Sequence, residues 1–73
     1  MFQIETLGKR IKFERLRNKM SKTELSMLTQ MSRSYITELE EDKYSNPSLR
    51  VLCALCKALR CTPNDLTPEE FYK

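Results

Sequence analysis

Turned at 100° per residue, the apolar positions of this chain gather into helical stripes rather than strand-like alternations. Over residues 4–18, Ile4, Leu7 and Ile11 share one stripe, while Phe2, Phe13 and Leu16 collect on the opposite side, where a simple surface helix would be polar. Three coverings fit that second stripe: the Phe71-Tyr72 tail of the same chain, a second subunit, or nothing, since scattered exposed apolar residues are common. Over residues 33–41, Ile36 and Leu39 fall on one side and Arg33, Ser34, Thr37, Glu38 and Glu41 fan across the other. That polar fan must face water or a partner. Residues 48–60 are apolar around most of the circumference, with Leu49, Leu52, Leu55, Cys56 and Leu59 on one side and Val51, Ala54 and Ala58 on a second. This pattern predicts the central, most buried helix.

Helix-start signals punctuate the chain at matching intervals. Ser21 with Glu24, Thr62 with Asp65 and Thr67 with Glu70 have the spacing of a capping box, and each threonine precedes a proline suited to the first helical position. Ser32 can cap another helix, and Asn46-Pro47-Ser48 supplies a stop and a restart. The expected helices run near 4–18, 22–29, 33–41, 48–60 and 63–71, the last open to a break at Pro68. With one Gly and three Pro among 73 residues, the fold class is all-α with short connections.

A chain of 73 residues suits one compact domain, 1–73, burying roughly 60% of its unfolded surface, with little room for a deep catalytic cleft. Nothing in it points to an enzyme: there is no His, no Gly-rich phosphate loop and no carboxylate pair set among apolar residues. No apolar run approaches the ~20 residues of a membrane span, and the N-terminus lacks the regions of a signal peptide. Three cysteines, Cys53, Cys56 and Cys61, crowd one segment, an odd number that suits free thiols in a reducing cytoplasm. Cys53-x-x-Cys56 raises the question of metal binding. Rotation along the helix turns Cys56 inward and Cys53 to the edge, and a closed zinc site wants four ligands, so core packing is the expected role. Charge is uneven. Residues 1–22 carry seven basic and two acidic side chains (+5) and residues 23–73 carry six and eight (−2), so the basic end can face phosphates or simply be solvated.

Between Ser21 and Glu40 lie a short helix, the connection Gln30-Met31-Ser32 and a second short helix, which is helix-turn-helix spacing over residues 21–41. Ser26 is small where the second helix would pack, and Leu25, Leu28, Met31, Ile36 and Leu39 can hold the two together. A helix held this way presents its outer N-terminal face in a shape that enters a major groove about 12 Å wide.

The segments "LGKRIKFERLR", "MSKTELSMLTQMSRSYITELE" and "NPSLRVLCALCKALRCTPNDL", in this order and spacing, resemble the Cro/cI or XRE-type helix-turn-helix family. The most specific part is "SRSYITELE" followed by "NPSL". The resemblance implies a compact five-helix, lambda-repressor-like domain acting as a transcriptional regulator on double-stranded DNA. It implies base contacts by Arg33, Ser34, Thr37 and Glu38, and phosphate contacts at the start of the second helix by Ser21 and Lys22. Tyr35, Lys43, Tyr44 and Asn46 are further candidates for the DNA backbone. It also implies that Arg15 and Glu40 form a salt bridge joining the first helix to the end of the third. Specific binding by so small a module calls for two copies about 34 Å apart on a pseudo-palindromic site. A homodimer is therefore expected, with Phe13, Leu16, Phe71 and Tyr72 as interface candidates and no cofactor, metal, small-molecule ligand or membrane partner.

The chain departs from the family pattern in places. Lys19 and Gln30 stand where Gly is common, so the backbone there either takes a left-handed conformation or turns differently. Glu14 and Asn18 stand at positions that tend to be apolar. Glu41 and Asp42 put negative charge in a loop that commonly approaches phosphates. The alternative reading is a protein-interaction module that uses the acidic edge from Glu38 to Asp42.

Overall fold

The computed structural model describes residues 6–44 and 47–66. Four helices account for most of them: α1 (Leu7–Arg17), α2 (Lys22–Thr29), α3 (Arg33–Glu40) and α4 (Leu49–Leu59), followed by one helical turn, α5 (Pro63–Leu66). Among the described residues there is no strand. The expected helix at 63–71 is seen only as that first turn. Thr67, Glu70, Phe71 and Tyr72 lie outside the described residues, as do Phe2, Ile4 and Asn46.

Each long helix begins on a hydroxyl. Thr6, Ser21, Ser32 and Ser48 sit in extended backbone and accept from the amide three residues on, which satisfies one otherwise orphaned donor per helix. At Ser21 the box is closed in both directions, with Glu24 accepting from the Ser21 amide. Thr6 sets the start of α1 three residues later than expected, because an extended cap cannot lie inside a helix. In the last turn Asp65 accepts from the amide and the hydroxyl of Thr62.

The four long helices also end alike. Lys19, Gln30, Asp42 and Arg60 take φ of 54°, 60°, 62° and 55°, the left-handed region. After each, an amide reaches back five residues: Met20 to Arg15, Met31 to Ser26, Lys43 to Glu38 and Cys61 to Cys56, at 2.9–3.1 Å. This is the 6→1 closure of a Schellman motif, usually built on Gly. Here the single Gly is used elsewhere. Gly8 lies where the start of α1 crosses the end of α3, and a Cβ on it would stand 2.4 Å from the Leu39 carbonyl oxygen and 2.8 Å from that of Glu40.

The core is Leu7, Ile11, Leu25, Ile36, Leu39, Leu55, Cys56, Leu59 and Leu66, with Met20, Met31, Tyr35, Val51, Leu52, Ala58 and Cys61 packed against it. Two expected core residues are not in it. Leu28 is 61% exposed, because Lys22, Ser26 and Thr29 flank Leu25 on its half-buried side and Leu28 lies on the other. Leu49, in the first turn of α4, is 73% exposed, while the buried residues of that helix, Leu55, Cys56 and Leu59, lie in its later turns. Nor is α4 the most buried helix: it buries Leu55, Cys56 and Leu59, whereas α1 buries Leu7, Gly8, Ile11, Glu14 and Arg15.

The buried charged residues Glu14, Arg15 and Glu40 are all bonded, whereas Arg10 donates through one terminal nitrogen to the Asp65 carbonyl and leaves its buried Nε without a partner. Arg15 grips Glu40 through two bonds, Nε to Oε2 at 2.7 Å and an NH2 to Oε1 at 3.1 Å, and donates a third to the Met20 carbonyl. This fork fastens α1 to α3. Glu14 accepts two bonds from Arg17, and Asn18 donates to the carbonyls of Glu14 and Leu59, joining the end of α1 to the end of α4. Phe13 and Leu16, on the far side of α1, are exposed.

Candidate nucleic-acid interface

Helix α2 packs against α3 and α4, and α3 packs also against α1. These neighbours take up the Ile36, Leu39 and Glu40 side of α3. What is left outside is an open concavity of about 410 Å³ lined by Arg33, Ser34, Thr37, Glu38, Glu41 and Lys43. All four residues expected at base edges therefore come together on one surface. Arg33 and Ser34 are exposed, and Thr37 and Glu38 half-buried.

Formal charge across the six residues is balanced, Arg33 and Lys43 against Glu38 and Glu41. A surface of this kind offers guanidinium and ammonium donors, two hydroxyls and two carboxylate acceptors. Such a set suits reading a pattern of donors and acceptors better than it suits attraction to phosphate alone.

Of the described residues expected at the DNA backbone, Lys43 alone lines the concavity. Ser21 and Lys22 begin α2, where Ser21 is engaged in its capping box and Lys22 is half-buried. Tyr35 leans on the core, and its ring lies 5.3 Å from that of Tyr44 at an interplanar angle of 43°. The Tyr44 hydroxyl donates to Glu38 Oε1 at 3.2 Å. That bond, and the negative charge that accepts it, push the Tyr44 phenol above its ordinary pKa.

Asp42 plays a part that its charge alone did not reveal. Its carboxylate accepts from the Thr6 hydroxyl and the Gly8 amide, both at 2.9 Å, at the N-terminal end of α1. A negative group there is favoured by the helix dipole. Of the two acids feared in this loop, one is thus turned to a structural bond and the other, Glu41, lines the concavity. Periodicity could not find either the Asp42 tie or the Tyr44 bond, because both join a helix to residues beyond its end.

Cys53 is exposed, Cys56 buried and Cys61 half-buried, all as free thiols. Burial pushes the Cys56 thiol up and the Cys61 thiol to about 12. Among the described residues, no group of three or more His, Cys, Asp or Glu is placed to hold a metal ion, and no helix is long and apolar enough to cross a membrane.

The model of the Cro/C1-type HTH DNA-binding domain matches residues 10–67. The chain belongs to this family. Within it, the chain is 38% identical over 65 residues to the immunity repressor protein of Bacillus phage phi105, a match covering 89% of this chain and 44% of that protein. The chain thus spans less than half the length of that relative. Among solved structures, it resembles the P22 c2 repressor in complex with synthetic operator 9T, with a TM-score of 0.79 and 30% identity over 88% of this chain and 96% of that one. It also resembles the restriction-modification controller protein C.AhdI from Aeromonas hydrophila, with a TM-score of 0.76 and 30% identity over 82% and 89% of the two chains. The concavity lies on the outer face of α3 and the turn that follows it, within the residues that this family model matches.

Proposed function

We propose that this chain is a sequence-specific double-stranded DNA-binding transcriptional regulator, repressor-like, which reads the major groove with the outer face of α3. The observation that carries the proposal is the convergence of Arg33, Ser34, Thr37 and Glu38 on one open concavity of a Cro/C1-type domain. Arg33 makes a bidentate contact to guanine O6 and N7, Glu38 accepts from a cytosine amino group, and Ser34 and Thr37 donate or accept beside them. Each good pair is worth about 1–3 kcal/mol of discrimination. Ser21, Lys22, Tyr35, Lys43 and Asn46 hold the phosphates on either side and set the register without reading sequence. Tyr44, also expected at the DNA backbone, directs its hydroxyl proton to Glu38 instead.

The working form is a homodimer on a pseudo-palindromic operator, its half-sites about 34 Å apart. Exposure of Phe13 and Leu16 supports their place in the subunit contact, together with Phe71 and Tyr72. Residues 1–73 form one domain, of which Pro63–Leu66 is the first turn of a fifth helix, and it works in the cytoplasm as a binding module without catalysis.

Salt separates this reading from that of a protein-binding domain. Duplex affinity should fall linearly on logarithmic axes as salt rises, with a slope of about −0.9 per phosphate contacted. An affinity for duplex that does not change with salt would contradict it.

A further inference from the structure

The geometry points to Tyr44 as a positioning residue for base recognition, one that fixes the Glu38 carboxylate for a single base pair rather than holding a phosphate. The inference rests on the reading of α3 given above and deepens it. A glutamate on an exposed helix face turns about several side-chain bonds, and that freedom is lost when it meets a base. Here it is already restrained. Tyr35 packs on the core, the Tyr44 ring lies against Tyr35, and the Tyr44 hydroxyl ties Glu38 Oε1. The chain of contacts runs from the interior to the one acidic reader among the four residues on α3.

A phenol has a single proton. While it is donated to Glu38 it cannot be donated to a phosphate, so the two roles exclude one another. A carboxylate has about four acceptor positions on its two oxygens, and a bond from Tyr44 leaves capacity for a cytosine amino donor. A carboxylate fixed in this way also meets guanine O6 and N7 or thymine O4, all acceptors, as repulsion. Tyr44 should therefore act on the choice of base at one position and leave the rest of the site alone.

The test uses the full chain and a duplex enriched by the wild type from a random library, together with every single-base-pair change of it. Glu38→Ala identifies the pair that Glu38 reads, as the one position where discrimination collapses. Tyr44→Phe, which keeps the ring and removes the hydroxyl, is then measured on the same panel at two salt concentrations. The expected result is a loss of discrimination of about fivefold or more at the Glu38 pair, the ratio that ~1 kcal/mol represents. Other positions and the salt slope should stay unchanged, and Tyr44→Phe should add nothing at that pair in the Glu38→Ala background. Weaker binding to every duplex with a salt slope shallower by about one would make Tyr44 a phosphate contact and overturn the inference. So would a panel identical to the wild type. Failure of the wild type to enrich any duplex would instead overturn the reading of α3 itself, and this inference with it.

Discussion

Gly8 shows how much one side chain's absence can decide. Its Cα sits against the carbonyls that end α3, and the Cβ of any other residue would meet the Leu39 and Glu40 backbone oxygens inside van der Waals range. Backbone cannot rotate aside as a flexible side chain does. Gly8→Ala should cost about 1–3 kcal/mol and lower the melting temperature by about 4–8 °C per kcal/mol; an unchanged melting curve would mean that α1 and α3 are less closely apposed. The thiols make a second residue-scale prediction. Burial raises the Cys61 pKa to about 12, and a raised folded-state value stabilises the fold below the unfolded thiol's pKa of about 8.5. That contribution is lost as pH rises from there through the folded value. Denaturant midpoints should fall between about pH 9 and 12, and the Cys61→Ala protein should lose less over that window. Identical alkaline losses in both proteins would remove Cys61 from the explanation.

At the scale of elements, the helix ends carry most of the lesson about legibility. The starts were readable because a cap is a side-chain property: Ser21 with Glu24, and Ser32, announce themselves by residue type. The ends were only half readable, because a Schellman closure is a backbone property usually betrayed by Gly. Lys19 and Gln30, standing where Gly is common, were expected either to take left-handed backbone or to turn differently, and do take it, whereas Asp42 and Arg60 adopt it with no signal from residue type. Left-handed backbone costs a residue with a Cβ roughly 1–2 kcal/mol. Gln30→Gly should therefore stabilise the protein by about 0.5–1 kcal/mol in denaturant unfolding, its gain limited by the entropy of Gly in the unfolded chain. A destabilised Gln30→Gly would show that the Gln30 side chain makes contacts outweighing its strain. Stripe reading succeeded for Ile36 and Leu39 and failed for Leu28 and Leu49, since a wheel shows which residues share a side but not how far the neighbouring helices reach. It also could not anticipate Glu14 and Asn18. Those polar residues occupy covered positions because Arg17 and the Leu59 carbonyl are there to meet them.

For the whole molecule, the arrangement of α2 and α3 follows from the caps, from Leu25, Ile36 and Leu39, and from the Arg15–Glu40 fork that fixes α3 against α1. Residue types on the outer face of α3 were legible beforehand; their meeting in one concavity, and the Tyr35–Tyr44–Glu38 contacts at its edge, required the third dimension. The central claim is that this face distinguishes one base sequence from another. It is tested most directly by enriching duplexes from a random library with the wild-type protein and, in parallel, with Arg33→Ala. The account predicts a wild-type motif containing a guanine whose preference drops by about 5- to 150-fold in the variant, the equivalent of 1–3 kcal/mol, with preferences elsewhere retained. Absence of any wild-type motif, or the same guanine preference in Arg33→Ala, would contradict it.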